Sequence, residues 1–172
     1  AMIGAGGWAY FEQFNEGRLA QAVAMEVSSH ALEQGRVNAV KYDVALLTNL
    51  SRDHLDFHGD MQSYAAAKRR LFDWQQLKYA VLNLDDAFGS ELAEQLQDAE
   101  VEIIGYGLSD QAMQQAERQG LRMVYGGNLQ LDARGCRMQV HSSWGGGALN
   151  SPLLGRFNAE NLLGTLAVLL VS

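Results

Sequence analysis

The sequence predicts an α/β fold: a three-layer, mostly parallel sheet with a small antiparallel sheet beside it. Three observations predict it. Four apolar runs, QAVAMEV (21–27), YDVALLTNL (42–50), YAVLNLDD (79–86) and VEIIGYG (101–107), lack the alternation of a strand with one wet face. Such runs suit strands covered on both sides. Helical segments intervene, one beginning after residue 60 and one over about 88–97, and a last helix runs over about 158–171; strands alternating with helices make a parallel sheet. Beyond about residue 120 the pattern becomes alternation punctuated by glycines, a meander over about 121–155 that includes a hairpin turn in SSWGGGAL (142–149).

The chain of 172 residues suits one domain, or one with a small appendage. With 48% hydrophobic and 19% charged residues it can bury a substantial core, and 18 Gly against one Pro indicate tight turns. A net charge of −7 argues against nucleic acid as a partner, which needs basic patches, but leaves room for an anionic small ligand at a local site. The single cysteine, Cys136, excludes an internal disulfide, fits a reducing compartment and reads as a buried or half-buried thiol. The longest apolar run, LLGTLAVLLV (162–171), is too short to span a bilayer. No basic leader precedes it at the N-terminus. The expectation is a cytoplasmic monomer without membrane insertion.

Asp60 can cap the helix that follows it, and no Gly or Pro interrupts the chain from there until Gly89. At 100° per residue, Met61, Tyr64, Ala65, Leu71 and Phe72 form its apolar stripe. Lys68 falls inside that stripe; Arg69 and Arg70 fall outside it. A buried ammonium is costly, so Lys68 pairs with an acid, loses its proton or is chemically changed, unless its head snorkels to water. A deprotonated amine can add carbon dioxide, and the carbamate so formed is an anion able to bind a divalent cation.

Ligands of parallel sheets bind beyond the carboxyl ends of the strands. Two strands end in polar clusters there, Glu26, Ser28, Ser29 and His30 after the first, and Thr48, Asn49, Ser51, Arg52, Asp53 and His54 after the second. As parallel neighbours, the two strands would bring Glu26 and His54 to one edge, where both could bind metal with a modified Lys68. The competing reading pairs Glu26 with an arginine and has His54 cap a turn. His54 and His58, four apart with acids interleaved, also allow a metallohydrolase site, although Gly59 and Asp60 mark the segment as a loop. MIGAGGWAY has neither a Lys-Ser/Thr pair nor a GxGxxG match and reads as a glycine-rich turn or chain end. Asn158 and Asn161 share the first turn of the last helix, where Asn158 could serve as N-cap or both amides could read the edge of a base.

AMEVSSHALEQGRV, TNLSRDHLDFHGDMQSYAAAKRRLF, LNLDDAFG and GRFNAENLLGTLAV occur in the order and spacing of the central domain of the Mur ligases. With EVSSHALEQGR and TNLSRDHLDFHG the chain resembles the MurE branch of that family over about 21–172, while residues 1–20 match poorly. The resemblance implies a P-loop-ATPase-like sheet. It also implies an ATP-dependent ligase that activates UDP-N-acetylmuramoyl-L-alanyl-D-glutamate (UDP-MurNAc-L-Ala-D-Glu) as an acyl phosphate for attack by a diamino acid, meso-diaminopimelate or L-lysine. By the same resemblance Glu26, His54 and a carbamylated Lys68 bind Mg²⁺ and carry the catalytic centre. Ser28, Gln34 and Arg36 hold the UDP-muramoyl-dipeptide, and Asn158 and Asn161 contact the adenine of ATP. The family's N-terminal uridine-binding domain, its GTNGKT phosphate loop and its C-terminal amino-acid-binding domain have no counterpart here, so the expectation for this chain alone is no ligase activity. The alternatives are a non-catalytic nucleotide- or metal-binding module and the metallohydrolase using His54 and His58.

Overall fold

The computed structural model describes residues 7–13, 20–51 and 59–172, with side chains from residue 23 onward. Strands β1 (Gly7–Gln13), β2 (Ala20–Val27), β3 (Val44–Leu47), β4 (Tyr79–Asn83), β5 (Glu102–Gly107), β6 (Arg122–Asp132), β7 (Gly135–Ser142) and β8 (Gly145–Ser151) join in one sheet. Its order is β2-β1-β3-β4-β5-β6-β7-β8. Strands β3 to β6 are parallel, whereas β1 runs antiparallel to both of its neighbours and β6, β7 and β8 form an antiparallel meander. The meander is continuous with the parallel part, because β6 pairs with β5 through 122–125 and then with β7.

Period-two burial of the central strands makes two cores. Ala45, Leu47, Ala80, Leu82 and Ile103 face the layer of α1 (Ser29–Glu33), α2 (Met61–Arg69), α3 (Ala87–Gln95) and α4 (Asp110–Gln119). Val44, Leu46, Val81, Ile104 and Tyr106 face α5 (Arg156–Val171), which contributes Ala159, Leu163 and Ala167. Helices on both faces explain why these strands are apolar on both sides rather than alternating. Cys136 is fully buried in the second core, as the sequence suggests.

Two expectations are corrected at the β2 side. No strand is expected over 7–13, yet β1 lies there, between β2 and β3. Strands β2 and β3 therefore run in the same direction without being neighbours, and β2 is an edge strand with Ala24 and Glu26 exposed. An apolar run states that one strand can be covered; it does not state which strand pairs beside it. Helix α4, bracketed by Ser109 as N-cap and by Gly120 in the left-handed conformation (φ 65°), is a further element not assigned from the sequence.

Tyr106 ties the two cores. Fully buried on β5, it donates its hydroxyl to the carbonyl of Leu47 at 2.9 Å. Burial, with Glu160, Asp86 and Asp85 adding to it, holds its ionisation well above the usual tyrosine range. Tyr106→Phe leaves that carbonyl without its side-chain donor and is expected to lower the unfolding free energy by about 1–2 kcal/mol in urea melts.

Candidate functional site

The end of β2 carries one group of the sequence-predicted residues. Ser28 caps α1 by accepting the N–H of Ala31 at 3.2 Å, which turns the chain sharply after Val27. Gln34 closes that short helix, and its side chain, like that of Arg36, is exposed. Met25, Glu26, Ser28, Ala31, Arg36 and Val37 line a cleft of about 410 Å³. Glu26 stands exposed at its side, so the desolvation cost expected for a carboxylate on a covered strand does not arise.

Lys68 approaches this end from α2. Asp60 caps that helix, accepting the N–H of Ser63 at 2.7 Å, and the cap fixes which residues turn inward. Tyr64, Ala67 and Lys68 do so, and Leu71 and Phe72 continue the buried stripe beyond the helix. Lys68 is 2% exposed. Its Nζ lies 3.5 Å from the carbonyl oxygen of Val27, to which it donates, and 5.9 Å from the centroid of the Tyr64 ring. Burial pulls its pKa down to about 8, while the charge of Glu26 opposes that shift. Among the described residues no salt bridge to Lys68 forms, and what they offer to offset its desolvation is a carbonyl dipole and a ring face. Snorkelling to water is ruled out by its burial.

His54, together with Arg52, Asp53 and His58, lies outside the described residues. Among the described residues no three His, Cys, Asp or Glu side chains converge as a metal site.

A second group gathers at the carboxyl edge of β3, β4 and β5. Asn83 spans two turns: its Nδ2 donates to the carbonyl of Thr48 at 2.8 Å, and its Oδ1 accepts the N–H of Asp85 at 3.0 Å. Asp86 caps α3 through the N–H groups of Phe88 and Gly89, both at 3.1 Å, and takes the N–H of Leu50 at 3.2 Å. Asp85 accepts the N–H groups of Leu108 (2.6 Å) and Ser109 (3.2 Å) and the Ser109 hydroxyl. Three loops at this edge are thereby pinned by one Asn-Leu-Asp-Asp segment. The motif LNLDDAFG is visible in the sequence, but its partners are remote, and only the capping role of an Asp before a helix could be read there.

The first turn of α5 borders this edge. Gly155, not Asn158, occupies the N-cap, and no side chain caps it. Asn158 sits inside the turn and donates its Nδ2 to the carbonyl of Leu154 at 2.8 Å. Asn161 is 9% exposed, and its side-chain amide makes no hydrogen bond among the described residues. The two asparagines thus share one helix turn, as expected, but on the opposite face of the sheet from Lys68 and the β2 cleft. Among the described residues no helix is long and apolar enough to cross a membrane.

Comparisons with known proteins bear on the family and the fold. The Mur ligase middle domain family matches residues 10–169. A UDP-N-acetylmuramoyl-L-alanyl-D-glutamate–2,6-diaminopimelate ligase of Ectopseudomonas mendocina (strain ymp) is 52% identical over 151 residues, 88% of this chain and 29% of the relative. The ligase of the same description from Pseudomonas aeruginosa (strain PAO1) is 48% identical over 151 residues, again 88% and 29%. A solved structure of such a ligase superposes with a TM-score of 0.69 at 40% identity, covering 83% of this chain and 28% of that one. A MurF structure from Acinetobacter baumannii, at 21% identity and a TM-score of 0.61 over 76% of this chain and 26% of that one, shares the fold. The chain thus spans less than a third of the length of the curated relatives it matches. With a family match that runs through nearly the whole chain and a parallel sheet laid out as in the solved ligase, the chain belongs to the Mur ligase family, as its middle domain.

Proposed function

We propose that this chain is the central part of an ATP-dependent amide ligase that joins a diamino acid to UDP-MurNAc-L-Ala-D-Glu in peptidoglycan synthesis. The names of the relatives favour 2,6-diaminopimelate over L-lysine as the diamino acid. The observation that carries the reading is Lys68, an amine 2% exposed, with its pKa drawn down to about 8 and a carboxylate, Glu26, acting on it from the end of β2. A plain ammonium there has no structural advantage over a leucine; an amine that must lose its proton to react does.

Two of the three candidate ligands fit Mg²⁺ on the chemistry of their donors, and His54 would add a nitrogen. A lysine cannot bind Mg²⁺ as ammonium, but its carbamate offers oxygen, as Glu26 does, and hard cations prefer oxygen. Glu26, His54 and carbamylated Lys68 would hold the ion, which supplies charge neutralisation between two phosphate-bearing anions. The chain's own residues then have distinct tasks. Ser28, Gln34 and Arg36, around the β2 cleft, bind and orient the muramoyl-dipeptide, with Arg36 facing its negative charge. Asn158 and Asn161 offer donors and acceptors to adenine. The ligation they serve transfers the terminal phosphoryl group of ATP to the D-glutamate carboxylate, and the incoming amine displaces phosphate from the acyl phosphate to form the amide. Bringing the two reactants into line is what such a middle domain contributes.

Carbamylation is tested directly by ¹³C NMR of the protein in [¹³C]bicarbonate with Mg²⁺ at pH 8. A slow-exchanging carbonyl signal that disappears in Lys68→Met is expected; a spectrum identical in both proteins contradicts the carbamate. Calorimetry with UDP-MurNAc-L-Ala-D-Glu tests the substrate reading: heat of binding that is lost in Arg36→Ala is expected, and no heat with the unaltered protein removes retained substrate binding.

A further inference from the structure

Arg156, the first residue of α5, is 54% exposed at its side chain, yet it is held from two sides. Its Nε donates to Glu160 at 2.9 Å, one turn along the helix. Its Nη2 lies 3.6 Å from Oδ2 of Asp85, whose own side chain is 11% exposed. Asp85 is in turn fixed by the Leu108 and Ser109 amides and the Ser109 hydroxyl, so it is a rigid anchor rather than a mobile counter-ion. Arg156 therefore connects the start of α5 to the turns that leave β4 and β5. This matters because α5 lacks the side-chain cap that usually fixes a first turn. Asn158, in the same turn, has its Nδ2 already engaged, whereas the side-chain amide of Asn161, three residues on, makes no hydrogen bond among the described residues.

We propose that Arg156, anchored by Asp85, is a positioning residue for base recognition. It sets the first turn of α5 against the carboxyl edge of the sheet, and with it the angle at which the Asn158 and Asn161 amides meet a purine edge. The inference rests on the adenine-binding reading above. Discrimination between adenine and guanine depends on a donor and an acceptor placed at the right spots, so a turn that swings freely loses selectivity before it loses contact. An arginine suits the task because its planar fork reaches Asp85 and Glu160 at once; lysine offers a single point of charge.

The test uses adenosine and guanosine 5′-monophosphates, which require no phosphate loop, titrated into ¹⁵N-labelled protein. In the unaltered chain, AMP is expected to shift the Asn161 side-chain amide and to bind more tightly than GMP. In Arg156→Ala the preference for AMP is expected to fall about fivefold, the worth of one partly exposed charge pair. Arg156→Lys should recover part of it. Amide exchange at residues 159–162 should quicken in Arg156→Ala while the rest of the spectrum stays folded. An AMP preference and an exchange pattern unchanged in Arg156→Ala overturn the proposal. If the unaltered chain binds neither nucleotide, the adenine reading fails; the exchange rates at 159–162 then decide alone whether Arg156 fixes the turn.

Discussion

Lys68→Met is expected to make the protein more stable at pH 7, by up to about 3 kcal/mol, as the lysine's pKa moves from 10.5 to about 8 on folding. The sign follows from proton counting. Between pH 8 and 10.5 the unfolded chain carries the proton and the folded protein does not, so stability rises with pH across that window. Below pH 8 both states are protonated, and the folded state bears the full cost of a desolvated ammonium. Methionine fills a similar volume with no charge, which removes both the cost at neutral pH and the alkaline rise. Urea unfolding in carbonate-free buffer at pH 7 and at pH 10 checks both parts. A Lys68→Met protein less stable than the parent at pH 7 would mean that the contacts of the amine with the Val27 carbonyl and the Tyr64 ring outweigh its burial. A protein keeps such a charge in a core position for a chemical reason, not for stability.

Gly89→Ala is expected to cost about 2–4 kcal/mol, although alanine is the better helix former by about 1 kcal/mol. Gly89 sits in the first turn of α3, and a Cβ built there falls 2.1 Å from the carbonyl oxygen of Asn83 and 3.0 Å from its carbonyl carbon. Both are backbone atoms of the strand end and cannot rotate away. The helix must lift, and lifting disturbs Asp86, which caps α3 and also holds Leu50, and Asn83, which holds Thr48 and Asp85. The effect on stability therefore comes with displacement of the whole carboxyl edge. Urea melts give the loss, and amide shifts at Thr48, Leu50, Leu108 and Ser109 show whether it spreads. A Gly89→Ala protein of parental stability would show that α3 moves off β4 without cost.

The central strands and α2 were legible because their chemistry is local. A strand covered on both faces must be apolar along its covered length, and β3, β4 and β5 are, apart from Asn83 and Glu102 at strand ends; a helix with one buried face must repeat at 3.6, and Tyr64, Lys68 and Leu71 do. The period put Lys68 on the apolar stripe but left open a head that snorkels to water; its 2% exposure is a result of the fold. Helix α4 was missed because its buried face is made of Ala112, Gln115 and Ala116, too small and too polar to register as a stripe. Its end signals, Ser109 and Gly120, were stronger evidence than its periodicity. The position of β1 between β2 and β3, and with it the exposure of Glu26, depends on pairing between distant segments, which no local pattern encodes. The same holds for Asp85 and Arg156: each is an ordinary surface residue in the sequence, and only the fold brings one to the other. The roles expected of Ser28, Gln34 and Arg36 came from family resemblance alone; for Glu26, Asn158 and Asn161 the residue types allowed metal or base contacts beside plainer readings, and the resemblance chose between them.

The functional account stands on one physical statement, that Lys68 is an amine readily deprotonated near neutral pH. Its protonation can be followed at the neighbouring carbon by ¹³C NMR of protein labelled at lysine Cε, with Lys68→Met identifying the signal, in carbonate-free buffer. The account predicts a midpoint near 8 for this residue. A Lys68 midpoint at the ordinary lysine value of 10.5 would contradict the account: the amine would then be a permanent cation and unable to become a ligand.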